Sequence, residues 1–336
     1  MSILRPLAAL ILATAVLAVQ PATAKTIKIA TVAPEDSPWF EVLQKMAREW
    51  ETASGGAIET RIYAGGIAGD EFDLVRKMRV GQLDVAMLSI GSLPDIAWQL
   101  SALHMPLMIE SNEELDYVMA GVGPTFDALL REQGFRVLAW GDAGWVHFFT
   151  TKPVVTPEDL RPLRLFQWGS NSPYLDAWKD FGFNPVPVPT QEIHTALTTG
   201  MIEAIVVPPI AALSFQWFGT ANHMTAMPWA PMVGAIVISE RSWRKIPKAH
   251  RVRFLAIAAA ASAEAKERTR AVEPQAIEAM QAHGLTIHPV PPEALAEWRT
   301  AVEKGFSPLI GSAVPADLLA RVRQLVAEYR AGVAAQ

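Results

Sequence analysis

The segment MRVGQLDVA, residues 78–86, and the segment LTTGMIEAI, residues 197–205, have the same order of residue types. In each segment the end of a helix is followed by a glycine, an apolar residue, an acid and a buried strand. The acids are Asp84 and Glu203. Because helices that lead into apolar strands are typical of parallel sheets, the repeat predicts two α/β lobes with the same wiring. A chance match is the alternative, since glycine is common after helices.

Helix caps and strand patterns extend outward from these two segments. A first strand over residues 26–32 precedes a helix that Ser37 caps, with Pro38 at the first helical position. Thr156 caps a single turn that leads into a strand over residues 163–168. A helix over residues 113–133 is expected in two pieces around residues 121–124, and a strand over residues 135–150 is expected to break at residues 141–144.

The first 24 residues are typical of a secretory leader. Arg5 supplies a positive start, an apolar run covers residues 7–19, and Ala22-Thr23-Ala24 has the pattern of a cleavage site. We therefore expect residues 1–24 to be removed and the mature chain to lie in the periplasm. An uncleaved anchor is the alternative, although the apolar run is short for one. No later stretch reaches the ~18 uninterrupted apolar residues of a spanning helix, so no insertion of the mature chain is expected.

Composition argues against several classes of partner. The chain has 29 basic and 34 acidic residues, and loss of the leader would remove Arg5 alone among them. This acidic excess argues against a nucleic-acid partner or a polybasic membrane contact. There is no cysteine, so stability must come from a core that the apolar share of 51% permits, without disulfides. We expect a monomer.

No enzyme motif stands out in the sequence. It contains no G-x-S-x-G elbow, no H-E-x-x-H, no P-loop and no C-x-x-C, and its seven histidines lack metal-ligand spacing. We therefore expect a protein that is not an enzyme and has no cofactor. Calcium stays open, because its oxygen ligands leave little signature in a sequence.

The stretch LRLFQW, residues 163–168, combines a guanidinium with two aromatic rings. On a strand, Arg164, Phe166 and Trp168 would share one face, and the two leucines would share the other. Arginine presents a planar donor fork to a carboxylate, and rings can cover an apolar body. The stretch therefore predicts a site for a small organic anion. From spacing alone, the alternative is a pair of core leucines with Arg164 reaching solvent.

A series of segments in the same order resembles the DctP-type extracytoplasmic solute-binding proteins of TRAP transporters, the tripartite secondary importers of bacteria. The segments are YAGGIAGDE at 63–71, GQLD at 81–84, MPL at 105–107, PEDLRPLR at 157–164, NPVPV at 184–188, ALTTGMIEA at 196–204 and HMT at 223–225. The resemblance covers nearly the whole mature chain. No single segment decides it, but the series is specific.

This resemblance implies an α/β, two-lobed periplasmic-binding-protein fold of type II, with hinge strands and a long helix bridging the lobes. Residues 25–143 and about 234–275 would form lobe I, and residues 144–233 and about 276–306 would form lobe II. A C-terminal helix over about 307–336 would pack on the lobes. The lobes would close on an organic acid, which membrane permease subunits would then receive.

The resemblance also implies that Arg164 forms a salt bridge with the carboxylate of the ligand. A second arginine of some members aligns with Val146, and an asparagine aligns with Val207. With Phe166 and Trp168, these valines make the expected site more apolar. The ligand expected here is therefore a monocarboxylate with an apolar or aromatic body.

Further candidates for ligand contact are Trp39, Ser89, Trp145, His147, Val207 and Phe215. For most of them, packing is the alternative. Two other functions stay open at this point: a periplasmic sensor that presents its ligand to a receptor, and an exported enzyme that acts on a small acid. The enzyme would need a base with a nucleophile or metal, and the sequence indicates none.

Overall fold

The computed structural model describes residues 24–35, 37–168 and 173–335. The expected leader lies outside these residues, apart from Ala24. The described strands are β1 (Lys25–Ala30), β2 (Ile58–Tyr63), β3 (Val85–Ser89), β4 (Phe135–Thr150), β5 (Arg164–Gln167), β6 (Asn184–Pro187), β7 (Ala204–Val207), β8 (His223–Ala226), β9 (Ala230–Ser239) and β10 (Thr286–Pro289). The described α-helices are α1 (Pro38–Ala53), α2 (Glu71–Val80), α3 (Leu93–Ile96), α4 (Asn112–Glu132), α5 (Pro157–Leu160), α6 (Pro173–Asp180), α7 (Ile193–Thr198), α8 (Pro209–Ser214), α9 (Glu240–Lys245), α10 (Lys248–Ala282), α11 (Pro292–Phe306) and α12 (Ala316–Ala334).

The strands form a mixed sheet in the order β2-β1-β3-β9-β4-β7-β5-β6, with β8 beside β4 and β10 beside β8. β1 pairs in parallel with β2 and β3, and β5 pairs in parallel with β6 and β7. We call β1, β2, β3, β9 and the first part of β4 lobe I, and we call β5, β6, β7, β8, β10 and the end of β4 lobe II. The α/β prediction is confirmed.

Strand β4 belongs to both lobes. Its residues from Phe135 to Val146 pair with β9, whereas His147 to Thr150 pair with β7. The sequence predicts a break at residues 141–144, which is wrong. The strand continues there through a shift in register between Asp142 and Trp145, because β9 offers backbone partners on both sides of the irregular stretch.

The repeated glycine–acid segments occupy equivalent places in the two lobes. Gly81 ends α2 with φ of 78°, and Gly200 follows α7 with φ of 71°. Only glycine adopts this left-handed backbone without a steric cost, so each helix turns directly into the following strand. The acid three residues later then accepts a hydrogen bond from a strand of its own lobe. Asp84 Oδ2 accepts from Lys28 N at 2.9 Å in lobe I.

Helix α10 packs against both lobes, because it contacts α1 and β4 on one side and α8 on the other. Trp50 of α1 stacks on Phe254 of α10 with ring centroids 4.5 Å apart. The indole N–H of Trp50 also donates to the Phe254 carbonyl at 3.1 Å, so this fully buried ring leaves no polar group unpaired. The long bridging helix of the predicted fold is therefore present.

Helix α4 is continuous, although the sequence predicts two pieces around residues 121–124. Pro124 lies inside the helix and removes one backbone donor. Leu325 of α12 fills the space over Gly121, where a Cβ would lie 2.6 Å from the leucine methyl carbon. Tertiary packing of α12 on this face thus outweighs the local cost of proline and glycine.

Among the described helices, none has the length and apolar character needed to cross a bilayer.

Candidate functional site

A cleft lies between the lobes, at the carboxyl ends of β1, β3 and β7. Its empty volume is about 1020 Å³ when the space at its mouth is included. Lobe I contributes Ser89 from the end of β3, and lobe II contributes Val207 from the end of β7. Strand ends of both lobes meet here because parallel strands point their carboxyl ends to one edge, which is the usual ligand site of open α/β sheets.

Aromatic rings form the lobe II wall of the cleft. Phe215 and Trp217 stack with ring centroids 4.4 Å apart and planes 6° apart. Gln216 between them has φ of 57°, a left-handed conformation that is uncommon for a residue other than glycine. This turn brings the rings at positions 215 and 217 face to face. Trp168, just after β5, completes the wall.

Contacts of Gln191 and Trp168 join the lobes across the cleft. The side-chain amide of Gln191 in lobe II donates to the carbonyl of Gly66 in lobe I at 3.2 Å. Trp168 packs over Gly91, where an added Cβ would lie 3.5 Å from the indole ring. Both contacts place a lobe II side chain on lobe I backbone. The structure therefore has the lobes drawn together around the cleft.

A buried carboxyl group faces the cleft from lobe I. Glu71 is the first residue of α2, and its Oε2 accepts from Ser89 N at 3.0 Å, from Ser89 Oγ at 2.7 Å and from Ser92 Oγ at 2.6 Å. Burial raises the pKa of the Glu71 carboxyl, and the serine hydrogen bonds oppose that rise. Glu71 thus fixes the end of β3 against α2.

A network of charges closes the hinge side of the cleft. Lys266 of α10 lines the cleft and donates to Asp116 Oδ1 at 3.0 Å. Arg270, one turn further along α10, donates to both oxygens of Asp116 at 2.8 and 2.9 Å and to Asp142 Oδ2 at 2.8 Å. These bonds lower the pKa of Asp116, with the Arg270 hydrogen bond as the largest cause. Asp116 and Asp142 thus share the Arg270 guanidinium, and two N–H groups of Lys266 are left for other acceptors.

The indole N–H of Trp39 is a donor without an acceptor. Trp39 lies in the first turn of α1, after the Ser37 cap, whose Oγ accepts from Phe40 N at 3.3 Å. Its ring lines the cleft, and its Nε1 is buried with no hydrogen-bond partner among the described residues. A buried donor that stays unpaired costs about 1–3 kcal/mol, so an oxygen that reaches it from the cleft would restore that energy.

Of the residues predicted for ligand contact, five line the cleft: Trp39, Ser89, Trp168, Val207 and Phe215. They come from both lobes and from five different elements or their ends. The structure thus brings these distant positions together at one surface.

Arg164 does not line the cleft, whereas the sequence predicts it beside the ligand carboxylate. It is the first residue of β5, and Trp168 follows the last, so about 13 Å of strand separates them. The guanidinium donates from Nε to the Gly200 carbonyl at 2.9 Å, and its Nη2 lies 3.1 Å from Glu203 Oε2. Arg164 therefore lies at the amino end of its strand, while the cleft lies at the carboxyl end.

Three other predicted residues also lie outside the cleft lining. Phe166 is buried in the core of lobe II and meets Trp168 edge-on at 5.0 Å, so it supports the aromatic wall from behind. Trp145 donates from Nε1 to Asn112 Oδ1 at 3.0 Å. His147 is buried with Nδ1 3.2 Å from the Thr225 carbonyl, and burial lowers its pKa to about 4. A neutral His147 therefore donates from Nδ1 to that carbonyl as a structural bond of the hinge strand.

Sequence reasoning missed the polar groups that α2 and α10 bring to the cleft. Glu71, Ser262 and Lys266 line it, and Ser262 Oγ donates to the Trp140 carbonyl at 2.8 Å. A signal for the last two was present, because residues 262, 266 and 270 recur at helical spacing in an alanine-rich stretch. That spacing predicts a polar stripe on one face of α10, but not which surface the stripe meets.

Within residues 24–35, 37–168 and 173–335, no group of three or more His, Asp or Glu side chains is placed to hold a metal ion. The cleft offers a ligand hydrogen-bond donors, aromatic rings and the buried carboxyl groups of Glu71 and Asp142. These features suit the binding of a small solute that carries both a polar and an apolar part.

The model of the bacterial extracellular solute-binding protein family 7, DctP, matches residues 29–307. The chain belongs to this family. A solute-binding protein of Chromohalobacter salexigens is 26% identical over 236 residues, which cover 70% of this chain and 69% of that protein. The family assignment, the two-lobed α/β fold and a role in solute binding, all predicted from the sequence, are confirmed.

Solved structures of the same fold are TRAP periplasmic solute-binding proteins. One from Xanthobacter autotrophicus Py2, with bound β-D-galacturonate, has a TM-score of 0.83 and 20% identity and covers 90% of this chain and 99% of its own. Another from Ralstonia eutropha H16, with bound (S)-2-acetolactate, has a TM-score of 0.83 and 21% identity with the same coverage of both chains. At these identities the likeness establishes the fold.

Proposed function

We propose that this chain is the solute-binding subunit of a TRAP-type importer and captures a small organic acid in the cleft between its lobes. The observation that carries this proposal is the cleft itself. Ser89 and Trp39 of lobe I face it together with Trp168, Val207 and Phe215 of lobe II. A solute held there contacts both lobes at once, so its binding favours the closed arrangement.

The ligand class follows from what similar proteins bind and from the donors of this cleft. The proteins from Xanthobacter autotrophicus and Ralstonia eutropha hold galacturonate and acetolactate, both carboxylates. Here the unpaired Trp39 N–H and the ammonium of Lys266 provide donors for carboxylate oxygens. The proposed ligand is therefore an acid, bound without chemical change.

The remaining parts of the proposal follow from this role. The protein acts in the periplasm after loss of residues 1–24, as a monomer that is not an enzyme and that hands its ligand to membrane permease subunits. Residues 25–143 and about 234–275 form lobe I, residues 144–233 and about 276–306 form lobe II, and about 307–336 form the C-terminal helix. The boundary between residues 143 and 144 is supported by β4, which changes its partner strand from β9 to β7 between Val146 and His147.

Thermal unfolding with a panel of organic acids tests the proposed function. The mature protein is unfolded in urea, dialysed and refolded, so that any ligand carried through purification is removed. We expect at least one carboxylate to raise the Tm and to bind with micromolar or lower Kd by calorimetry. The panel includes sugar acids, succinate, 2-keto acids and aliphatic and aromatic monocarboxylates. If no member shifts the Tm and mass spectrometry of the native protein finds no acid, the proposal is overturned.

A further inference from the structure

The kind of acid that the cleft accepts is set by its few polar groups, if the proposed function holds. Seven of the described residues that line the cleft have polar side chains, and most of these already bond within the protein. Thr31 Oγ1 accepts from Ala33 N at 3.1 Å, and Ser262 Oγ donates to the Trp140 carbonyl at 2.8 Å.

The acidic groups of the cleft are engaged in the same way. Asp142 pairs with Arg270 at 2.8 Å, and Ser89 gives both its N–H and its hydroxyl to Glu71. A sugar acid carries a hydroxyl on almost every carbon, and each hydroxyl that is buried without a partner lowers the affinity. This cleft therefore disfavours a ligand with many hydroxyl groups.

The donors that remain are few, and besides the hydroxyls of Thr31 and Thr190 they are N–H groups, which favour acceptor atoms. Lys266 is the only Lys or Arg among the described residues that line the cleft, and one hydrogen bond, to Asp116, engages its ammonium. Trp39 Nε1 has no acceptor at all among those residues. Arg164 is engaged by Gly200 and Glu203 outside the cleft. Among the described residues that line the cleft, Lys266 is therefore the cation open to a carboxylate.

We infer that the ligand is a monocarboxylate with an aromatic or alicyclic body, oriented by Lys266 at its carboxylate and by the Trp39 N–H at a ligand oxygen. The stacked rings of Phe215 and Trp217, together with Trp168, cover its apolar body. Apolar burial supplies most of the affinity, and Lys266 selects the acid over neutral analogues.

Calorimetry on the unmodified protein tests this inference with matched ligands. Benzoate, phenylacetate, 3-phenylpropionate and cyclohexanecarboxylate are each compared with the corresponding amide, and with D-glucuronate, D-galacturonate and succinate. We expect one of the four acids to bind at least ten-fold more tightly than its amide and than either sugar acid. The amide keeps the shape of the acid and loses its charge, so the ratio isolates the cationic contact without a variant.

Two variants then assign the contacts. Lys266→Gln should weaken the preferred acid at least ten-fold and leave its amide within about two-fold. Trp39→Phe keeps the ring and removes the N–H, so it should weaken the acid several-fold. Arg164→Gln serves as the matched control, because it removes a cation outside the cleft. Circular dichroism and the Tm without ligand confirm that each variant is folded.

The outcomes separate this inference from the proposed function. Tighter binding of glucuronate, galacturonate or succinate than of all four apolar acids would overturn the inference and leave the proposed function standing. Equal affinity for acid and amide, or a large loss in Arg164→Gln with none in Lys266→Gln, would also overturn it. Failure of every acid to bind removes both.

Discussion

The Glu203 carboxylate holds both the backbone and the side chain of Arg164. Glu203 Oε2 accepts from Arg164 N at 3.3 Å and lies 3.1 Å from Arg164 Nη2. The carbonyl of Arg164 accepts from Glu203 N at 2.7 Å. The same two hydrogen bonds occur in lobe I, where Lys28 N donates to Asp84 Oδ2 at 2.9 Å and Asp84 N donates to the Lys28 carbonyl at 3.0 Å. The acid in each repeated segment therefore fastens a neighbouring strand of the sheet, β1 in lobe I and β5 in lobe II, and Arg164 occupies the place of Lys28. This equivalence argues for a structural role of Arg164.

Substitution of Arg164 should affect stability slightly and binding hardly at all. Arg164→Gln removes an ion pair whose arginine side chain is 43% exposed, so we expect a loss of at most about 1 kcal/mol in the free energy of unfolding. The Kd of the ligand should change by less than about two-fold, because the guanidinium does not line the cleft. Urea unfolding and calorimetry measure the two quantities, and a ten-fold rise in Kd would contradict the structural role.

The architecture could be predicted from the sequence because its signals are local. Ser37 and Thr156 cap helices as expected, and the Thr156–Asp159 capping box is present. The turns at Gly81 and Gly200 need only the freedom of glycine. The continuity of α4 and β4 was not predictable, since both depend on distant segments: α12 packs over α4, and β9 pairs on both sides of the bulge in β4.

The site was predictable only where strand ends define it. Ser89, Val207 and Trp168 come at or just after the carboxyl ends of strands, which the pattern places at one edge. Arg164 begins its strand, and the direction of the chain alone puts it at the opposite edge. Lys266 lies on a helix, and a helix face gives no information about its neighbour. Its contact with the cleft arises from the docking of α10, which is a tertiary property.

Removal of the contact between Gln191 and Gly66 should weaken ligand binding through the closed arrangement. Gln191→Ala deletes a partly exposed hydrogen bond across the cleft, so we expect a two- to ten-fold rise in Kd, in line with about 0.5–1.5 kcal/mol. The radius of gyration of the ligand-bound protein, from small-angle scattering, should increase or become more variable. Gln324→Ala is the matched control, because that amide donates to Glu328 within α12. The same loss in both variants would argue against a closing role.

Glu273 should make the protein less stable as the pH rises towards neutrality. Its Oε2 accepts from Trp145 N at 3.4 Å beside the hinge, and burial is the main cause that raises its pKa from 4.5 to about 7. Between these values the unfolded chain has lost the proton that the folded chain keeps, so ionisation costs up to about 3 kcal/mol above pH 7. Glu273→Gln stays neutral and retains an acceptor. In urea unfolding, the free energy of unfolding of Glu273→Gln relative to the parent should be higher at pH 8 than at pH 5. The same difference between variant and parent at both pH values would refute the raised pKa of Glu273.

His147 should act in the opposite direction over an overlapping pH range. Burial lowers its pKa from 6.5 to about 4, so between these values the unfolded chain binds a proton that the folded chain rejects. Stability from this group is full above pH 6.5 and is lost as the pH falls towards 4, by up to about 3 kcal/mol.

Because Glu273 loses stability with rising pH from 4.5 to 7, the two contributions largely cancel between pH 4.5 and 6.5. The parent should therefore change little from these two groups in that window, whereas stability should rise with pH in Glu273→Gln and fall with pH in His147→Gln. Urea midpoints measured every half unit from pH 4.5 to 7 decide this, and parallel profiles for the two variants would show that neither group titrates as assigned.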